Sequence, residues 1–537
     1  MKCLLFVLFC VLGGFLQAAD KPNIVVILVD DMGFADLGCY GSEIPTPNLD
    51  ALAKGGVRFT QFYNTGRCCP TRASLLTGLY SHQAGVGHMT TDNGLPGYRG
   101  KLNDSCVTIA QVLQPAGYFT AMTGKWHVGH EPGVYPKDRG FDRSLNAAAG
   151  GFYFAGGDKA KAKLFLNGES IANDDPRLPK DWYSTDLWTT FGLKFIDEAL
   201  AEKKPFYLHL CHNAPHFPLQ APADAIAKFR GQYKAGWGVL RDARIQRQRE
   251  MGLIDAAWEK APRPPTIQVW KDHTPEEQDR FDHLMAVYAA TVHRMDQAIG
   301  DLVNGLKDRG VLENTLILFM SDNGGNAESG PRGITQGEVL GGPDSSVFLG
   351  MTWATLNNTP FRWYKHFTHE GGISSPLIAH WPAGIPVHRN GKLEHQPAHL
   401  IDIMATACDV TGAVYPAEFK GHKILPAECL SLLPAIQGQP LHRVKPIFWM
   451  HEGNRAVRTG PWKLVKKFKG PWELYNIDED RTEQHDIITK FPAMSQHLIR
   501  QWEDWAATTF VDEWIGDVRN DWGEEHRREG DGKKKKK

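Results

Sequence analysis

Apolar runs along this chain share one habit: each ends abruptly in polar residues flanked by glycine or proline. Asn23–Val29 is apolar after its first residue and largely β-branched, then gives way to Asp30-Asp31-Met32-Gly33. A run without alternation predicts a strand covered on both faces, inside a mostly parallel sheet flanked by helices. Thr120-Ala121-Met122 leads into Gly124-Lys125-Trp126-His127, Pro205–Cys211 into His212 and Ala214-Pro215-His216, and Thr315–Met320 into Ser321-Asp322-Asn323-Gly324-Gly325. Val57–Tyr63 alternates like a strand and delivers the chain to Cys68, after an amphipathic helix that starts near Asn48. Ligands of such sheets gather beyond the C-terminal strand ends. The repeated pattern therefore predicts one sheet and one site.

Elsewhere the pattern changes. Residues 221–282, rich in Arg, Gln and Lys, read as a helical insertion on the surface, and His283–Leu306 returns to a helical period. Residues 328–358 are glycine-rich, the composition of a long loop beside a cleft. From His442 onward, short strands recur at roughly ten-residue spacing between glycine-containing turns, which predicts a small antiparallel sheet. A helix follows over Phe491–Trp505. The expected fold is α/β: a large mostly parallel mixed sheet flanked by helices, plus a small C-terminal antiparallel sheet with a helix. The expected divisions are 1–19, 20–441, 442–515 and a flexible lysine-rich tail over 516–537.

Composition narrows the address and the partners. With 537 residues, 42% apolar and 23% charged, the chain has an ordinary globular balance. A net charge of −1 supplies no field for nucleic acid or anionic membranes, so an anionic substrate must be gathered by a local group of cations. Lys2, the apolar run Cys3–Leu16 and Gln17-Ala18-Ala19 read as a secretory signal peptide, cut after Ala18 or Ala19. The run is short for a bilayer span, so no stable membrane insertion is expected. The protein is expected to be exported, to a periplasm or the exterior. Beyond the leader and Cys68, the six cysteines Cys39, Cys69, Cys106, Cys211, Cys408 and Cys429 can pair or stay buried, and their connectivity is not readable.

The chemistry gathers at the strand ends. Asp30, Asp31, Asp322 and Asn323 offer only oxygen ligands, which suits a hard cation, calcium or magnesium, rather than zinc. Arg72, Lys125, His127, His216 and Lys365 add donors suited to an oxyanion, and a sulfate or phosphate ester is the natural ligand of such a cluster. Cys68, opening Cys68-Cys69-Pro70-Thr71-Arg72, reads as a thiol at a helix start, where the positive helix end and Arg72 favour a thiolate. The plainer alternative is a buried helix-start cysteine beside Pro70, with Leu75 and Leu76 in the core.

The order Val-Asp-Asp-Met-Gly, Cys68-x-Pro-x-Arg72 running to Leu-Leu-Thr-Gly, Thr-Gly-Lys-Trp-His, Ala-Pro-His-Phe-Pro, Ser-Asp-Asn-Gly-Gly and His-Glu-Gly-Gly resembles the type I sulfatases. These are the formylglycine-dependent sulfatases of the alkaline phosphatase superfamily, and the likeness is greatest to the arylsulfatase branch. The resemblance spans Asn23 to Asp486 and includes Arg-Thr-Gly-Pro-Trp-Lys-Leu-Val near the C-terminus. It implies that Cys68 is oxidised to formylglycine by a formylglycine-generating enzyme. It also implies that Asp30, Asp31, Asp322, Asn323 and residue 68 hold Ca2+, ahead of Mg2+. The hydrated aldehyde would attack sulfur, His127 would deprotonate its second hydroxyl, and His216 or Lys365 would protonate the leaving oxygen. Arg72 and Lys125 would hold the diol.

The implied substrate is a sulfate monoester, either an aryl sulfate or a sulfated polysaccharide. A phosphonate or phosphate ester hydrolase on the same scaffold, a non-catalytic binder of sulfated glycans and a plain cysteine-thiolate enzyme are the competing readings. Cys69 is expected as a packed thiol and His212 as structural, while His82 and His369 are left open between pocket and turn.

Overall fold

The computed structural model describes residues 21–156 and 163–514. The expected leader and the lysine-rich tail lie outside the described residues. The strands are β1 (Asn23–Val29), β2 (Val57–Tyr63), β3 (Phe119–Lys125), β4 (Arg143–Ala147), β5 (Leu164–Leu166), β6 (Glu169–Ile171), β7 (Phe206–Cys211) and β8 (Thr315–Ser321). A ribbon of β9 (Ile334–Gln336) and β10 (Ser346–Phe348) comes next, before β11 (Ser374–His380), β12 (Lys392–Glu394) and β13 (Ala398–His399). The main sheet runs β12-β2-β11-β8-β1-β7-β3-β4-β5-β6, with β13 also beside β2. Its centre is parallel, β1 pairing with β7 and β8 and β3 with β7 and β4, whereas β11 is antiparallel to both of its neighbours.

The unbroken apolar run of β1 is explained by two cores. Val25, Ile27 and Val29 point into one, shared with the helices Ser184–Ala201 and Pro275–Asp308. Ile24, Val26 and Leu28 point into the other, with the helices Cys68–Thr77, Asp402–Thr411 and Pro492–Thr508. With both faces covered, β1 carries no charged residue until it leaves the sheet. At that point Asp30 appears.

The helix Pro275–Asp308 starts where its sequence says it should. Thr274 caps it, its hydroxyl accepting from the Glu277 amide while the Glu277 carboxylate accepts from the Thr274 amide, and Pro275 occupies the first turn. The helix therefore begins before residue 283, and the preceding stretch carries the helices Ala223–Phe229 and Gly236–Glu250. That stretch was expected on the surface, yet Arg241, Arg244 and Gln248 are buried. Arg244 pairs with Asp36 at 2.9 Å and Glu43 at 2.8 Å, the pairing a charge needs to leave water. Residues 328–358 hold the β9/β10 ribbon and the helix Gly350–Asn357 rather than loop alone.

After the small hairpin β14 (Glu418–Phe419) and β15 (His422–Lys423), the strands β16 (Ile447–His451), β17 (Asn454–Thr459), β18 (Trp462–Lys466) and β19 (Trp472–Asn476) form an antiparallel sheet. The helix Pro492–Thr508 packs on it, the Trp502 indole donating to the Trp449 carbonyl at 3.0 Å. Among the described residues Cys39, Cys68, Cys69, Cys106, Cys211, Cys408 and Cys429 are all unpaired thiols, and no helix is long and apolar enough to cross a membrane.

One glycine sets the position of a site residue. Gly124 has φ 100°, and a Cβ there would stand 1.8 Å from the Cys211 carbonyl oxygen on β7. Gly124→Ala is expected to cost about 3 kcal/mol or more, from left-handed strain and strand displacement together. A urea midpoint unchanged from the parent protein would contradict this.

Candidate active site

The strand ends converge as the pattern predicted. Asp30 and Asp31 follow β1, Lys125 ends β3 with His127 two residues on, His216 follows β7, and Asp322 and Asn323 follow β8. Cys68 opens the helix Cys68–Thr77, whose residues are all buried and which stops at Gly78 in the left-handed conformation. Two of the converging residues, Asp31 (φ 65°) and His127 (φ 58°), adopt left-handed backbone without being glycine. Such conformations persist where surrounding structure overrides their cost of roughly 1–3 kcal/mol.

Two cations tie the carboxylates together on one side. The Lys125 ammonium lies 2.5 Å from Asp30 Oδ2. The Arg72 guanidinium donates to Asp322 Oδ2 at 2.8 Å and 3.2 Å, and to the Lys125 carbonyl at 2.8 Å. On the other side Lys365 lies 2.7 Å from Asp31 Oδ1, and His216 Nε2 lies 3.6 Å from Asp31 Oδ2. Asn323 also donates to Asp31 Oδ1, at 2.7 Å. Cys68, Cys69 and His127 bring one donor atom each within 4.8 Å of one another.

The electrostatics follow from this packing. Burial pushes Asp30 up, but Lys125, His216 and Arg72 outweigh it and hold its carboxyl below the usual range. Asp322 goes the other way, because burial and the neighbouring Asp30 charge exceed what Arg72 and Lys125 return. Burial and Lys125 push His127 down to about 4, against the opposing pull of Cys68, so its imidazole is neutral at ordinary pH. Cys68 is held well below the usual thiol range by the Cys69 hydrogen bond, Lys125 and His127, against burial. Burial opposes the charge on Lys365, but Asp31 and Glu328 keep it protonated.

The donor set fits a hard cation. Asp30, Asp31, Asp322 and Asn323 present oxygen only, and the buried Asp30 Oδ1 and Asn323 Oδ1 have no hydrogen-bond partner. Orphaned buried oxygens beside mutually repelling carboxylates are what a calcium ion satisfies.

Sequence reasoning missed three members of this neighbourhood. Asn326 donates to Asp31 Oδ2 at 2.6 Å. Glu328 reaches Lys365 at 3.4 Å and Arg67 at 2.5 Å, and His366 reaches Glu328 at 2.9 Å. Their only signal was position: Asn326 and Glu328 lie just past Asn323, and His366 is next to Lys365. Of the residues left open, His82 packs edge-on against Tyr98 and Trp505, and His369 is the N-cap position of the helix Glu370–Ile373. His212 is fully buried and Cys69 is a packed thiol.

Beside Asp31 a recess is lined by Phe217, Phe348, Leu349, Asn326 and Glu328. The Phe217 ring stacks on His216 at 4.3 Å and lies 4.4 Å from Phe348. The recess thus presents aromatic faces beside Asp31, and Phe217 joins it to His216.

Comparison with known proteins agrees with this geometry. The sulfatase family model matches residues 22–413. An uncharacterized sulfatase of Schizosaccharomyces pombe is 35% identical, over 92% of this chain and 95% of its own. The arylsulfatase of Klebsiella aerogenes is also 35% identical, over 75% of this chain and 89% of its own. The crystal structure of Ps i-CgsB in complex with k-i-k-neocarrahexaose superposes with a TM-score of 0.67 at 28% identity, covering 93% of this chain and 96% of that one. The chain belongs to the sulfatase family, and its fold carries the sulfuric ester hydrolase activity of that family.

Proposed function

We propose that this protein is an exported sulfatase that removes sulfate from a sulfated glycan, with arylsulfatase-type reactivity, using residue 68 as a formylglycine. The observation that carries this reading is the surround of the Cys68 side chain. Its sulfur lies within 4.8 Å of a His127 ring nitrogen, at the strand ends where Lys125 pairs with Asp30 and where Asp30 Oδ1 and Asn323 Oδ1 are unmet. A glycan substrate is supported by the similar Ps i-CgsB structure, which holds a neocarrahexaose.

Asp30, Asp31, Asp322, Asn323 and residue 68 would hold calcium. When bound, that ion supplies positive charge for the sulfuryl oxygens and neutralises the facing carboxylates. Residue 68, once oxidised by a formylglycine-generating enzyme and hydrated, presents two hydroxyls on one carbon. One passes its proton to the Asp322 carboxylate and forms the new S–O bond as the bond from sulfur to the substrate's alcohol oxygen breaks. That oxygen leaves with a proton from His216 Nε2 or Lys365 Nζ, the two donors beside the recess. His127 then takes the proton of the second hydroxyl, the carbonyl re-forms, and the C–O bond to sulfate breaks. Lys125 and Arg72 hold residue 68 and Asp322 in place throughout.

Chelation with EGTA is expected to abolish sulfate release and lower the melting temperature, both restored by Ca2+. A bound ion stabilises the fold by RT ln(1 + [L]/Kd), about 2.7 kcal/mol at a hundredfold excess over Kd. Full activity in EGTA with an unmoved melting temperature would contradict the ligand set. Phe217→Ala is expected to raise KM for aryl sulfates roughly tenfold with a smaller change in kcat, since it removes a stacking surface without a proton donor. The deciding experiment is a sulfate-release screen over aryl sulfates and sulfated glycans, using protein co-expressed with a formylglycine-generating enzyme. A matched 4-nitrophenyl phosphonate serves as the control. Faster turnover of the phosphonate than of every sulfate would overturn the assignment.

A further inference from the structure

The segment after the helix Cys68–Thr77 meets the first hairpin of the C-terminal sheet at a second cluster of titratable groups. That hairpin turns at Glu452-Gly453, both left-handed, with φ 47° and 77°. Glycine adopts this turn freely, whereas a glutamate there costs about 1–2 kcal/mol. The Glu452 carboxylate is buried and faces two histidines, Oε1 standing 3.0 Å from His88 Nε2 and 3.5 Å from His451 Nε2. The two imidazoles stack with centroids 5.5 Å apart. His451 is 1% exposed, and its Nδ1 has no hydrogen-bond partner. A buried imidazole nitrogen left unmet is costly unless something else satisfies it.

One donor atom from each of His88, His451 and Glu452 lies within 4.8 Å of the other two. We infer that these three residues form a binding site for a divalent cation of the zinc class, distinct from the oxygen-only group at Asp30 and Asp31. Two imidazoles and a carboxylate are a zinc donor set, whereas calcium favours oxygen. Zinc bonds of about 2.0 Å in tetrahedral array put donor atoms about 3.3 Å apart, so closure needs side-chain shifts on the order of 1 Å.

The residues behind the three are arranged to hold them. Glu452 Oε2 lies 2.8 Å from His366 Nδ1, and His366 Nε2 lies 2.9 Å from Glu328 Oε1. Outer contacts of this kind fix the orientation of a ligating carboxylate. The Trp514 indole covers His88 at 4.7 Å. A bound ion would join the segment carrying His88 to the C-terminal sheet and leave a fourth position for water. Through Glu328, which also pairs with Lys365, it would brace the mouth of the sulfate pocket.

The test uses full-length mature protein, stripped with chelator, reloaded with Ca2+ and titrated with Zn2+. Co2+ serves as a visible-absorption probe of nitrogen and oxygen ligation. One zinc per chain is expected, with affinity falling more than ~100-fold in His451→Ala and in the milder His88→Ala, at the less buried of the two histidines. The Cys69→Ala variant, which dismantles the thiol–histidine group, is expected to keep the site. Far-UV circular dichroism of each variant checks the fold. Absence of zinc binding by the folded parent protein overturns the inference. So does binding that survives both histidine substitutions or is lost with Cys69.

Discussion

Cys68→Ser is expected to release at most one alcohol per chain and then stop, with steady-state turnover down by ~10⁴-fold or more. A serine can form the first S–O bond, because the same cations and acids surround it and the same donors protonate the leaving oxygen. It has no second hydroxyl on the same carbon, so His127 has no proton to remove that would expel sulfate. The ester then waits for water, and the buried helix start keeps water away: Cys68 is 1% exposed. A burst equal to the enzyme concentration followed by a flat line is the signature of a stalled covalent intermediate. Intact mass of the stalled protein should show an added sulfuryl group. Sustained turnover by the serine variant would mean that the second hydroxyl is dispensable.

Lys463→Met is expected to destabilise the fold by about 3–5 kcal/mol, a large part of a typical protein's net stability. Lys463, on β18, is fully buried between Glu370 and Glu483, at 2.8 Å from each. Glu370 is in turn held by Arg481 at 2.8 Å, Ser374 at 2.8 Å and Tyr63 at 3.1 Å, so hydrogen bonds through Glu370 link β18 to β2 and β11. Removing the lysine leaves two buried carboxylates facing each other. Burial alone would raise Glu370, but Lys463, Arg481 and Arg458 push it down to about 2. A carboxyl lowered on folding stabilises the protein fully above its unfolded value of about 4.5 and loses that contribution as pH falls toward 2. Urea midpoints of the parent protein should therefore fall steeply across that window, and Lys463→Met should show a shallower fall. Equal midpoints for the two proteins at pH 7 would show that the network contributes little.

The sheet and the site were legible for the same reason. A strand buried on both faces is largely free of charge along its length, although it admits uncharged polar residues such as Thr123 on β3 and His209 on β7. The first charged residue therefore marks where the chain leaves the sheet. Asp30, Lys125, His216 and Asp322 all stand at or just beyond such points. The family motifs then identified which of those polar residues belonged together.

Other features left little trace. Arg244 reads as a surface charge because its partners, Asp36 and Glu43, lie some 200 residues away in the chain. Glu328 and His366 form one chain of contacts with Glu452, but only the docking of the C-terminal sheet brings the three together. The glycine content of 328–358 suggested a loop, whereas β9 and β10 pair over three residues each, too few for a period to register. Local pattern reports burial well and reports long-range ion pairing hardly at all.

The central claim is that an aldehyde at residue 68 does the chemistry. The most direct measurement takes preparations made with graded amounts of formylglycine-generating enzyme. In each, the aldehyde fraction is quantified on the residue 68 peptide, where conversion removes about 18 Da from cysteine. Sulfate release per chain is recorded for the same samples at saturating Ca2+. The account predicts a straight line through the origin. A preparation with intact cysteine at position 68 and undiminished turnover would contradict it.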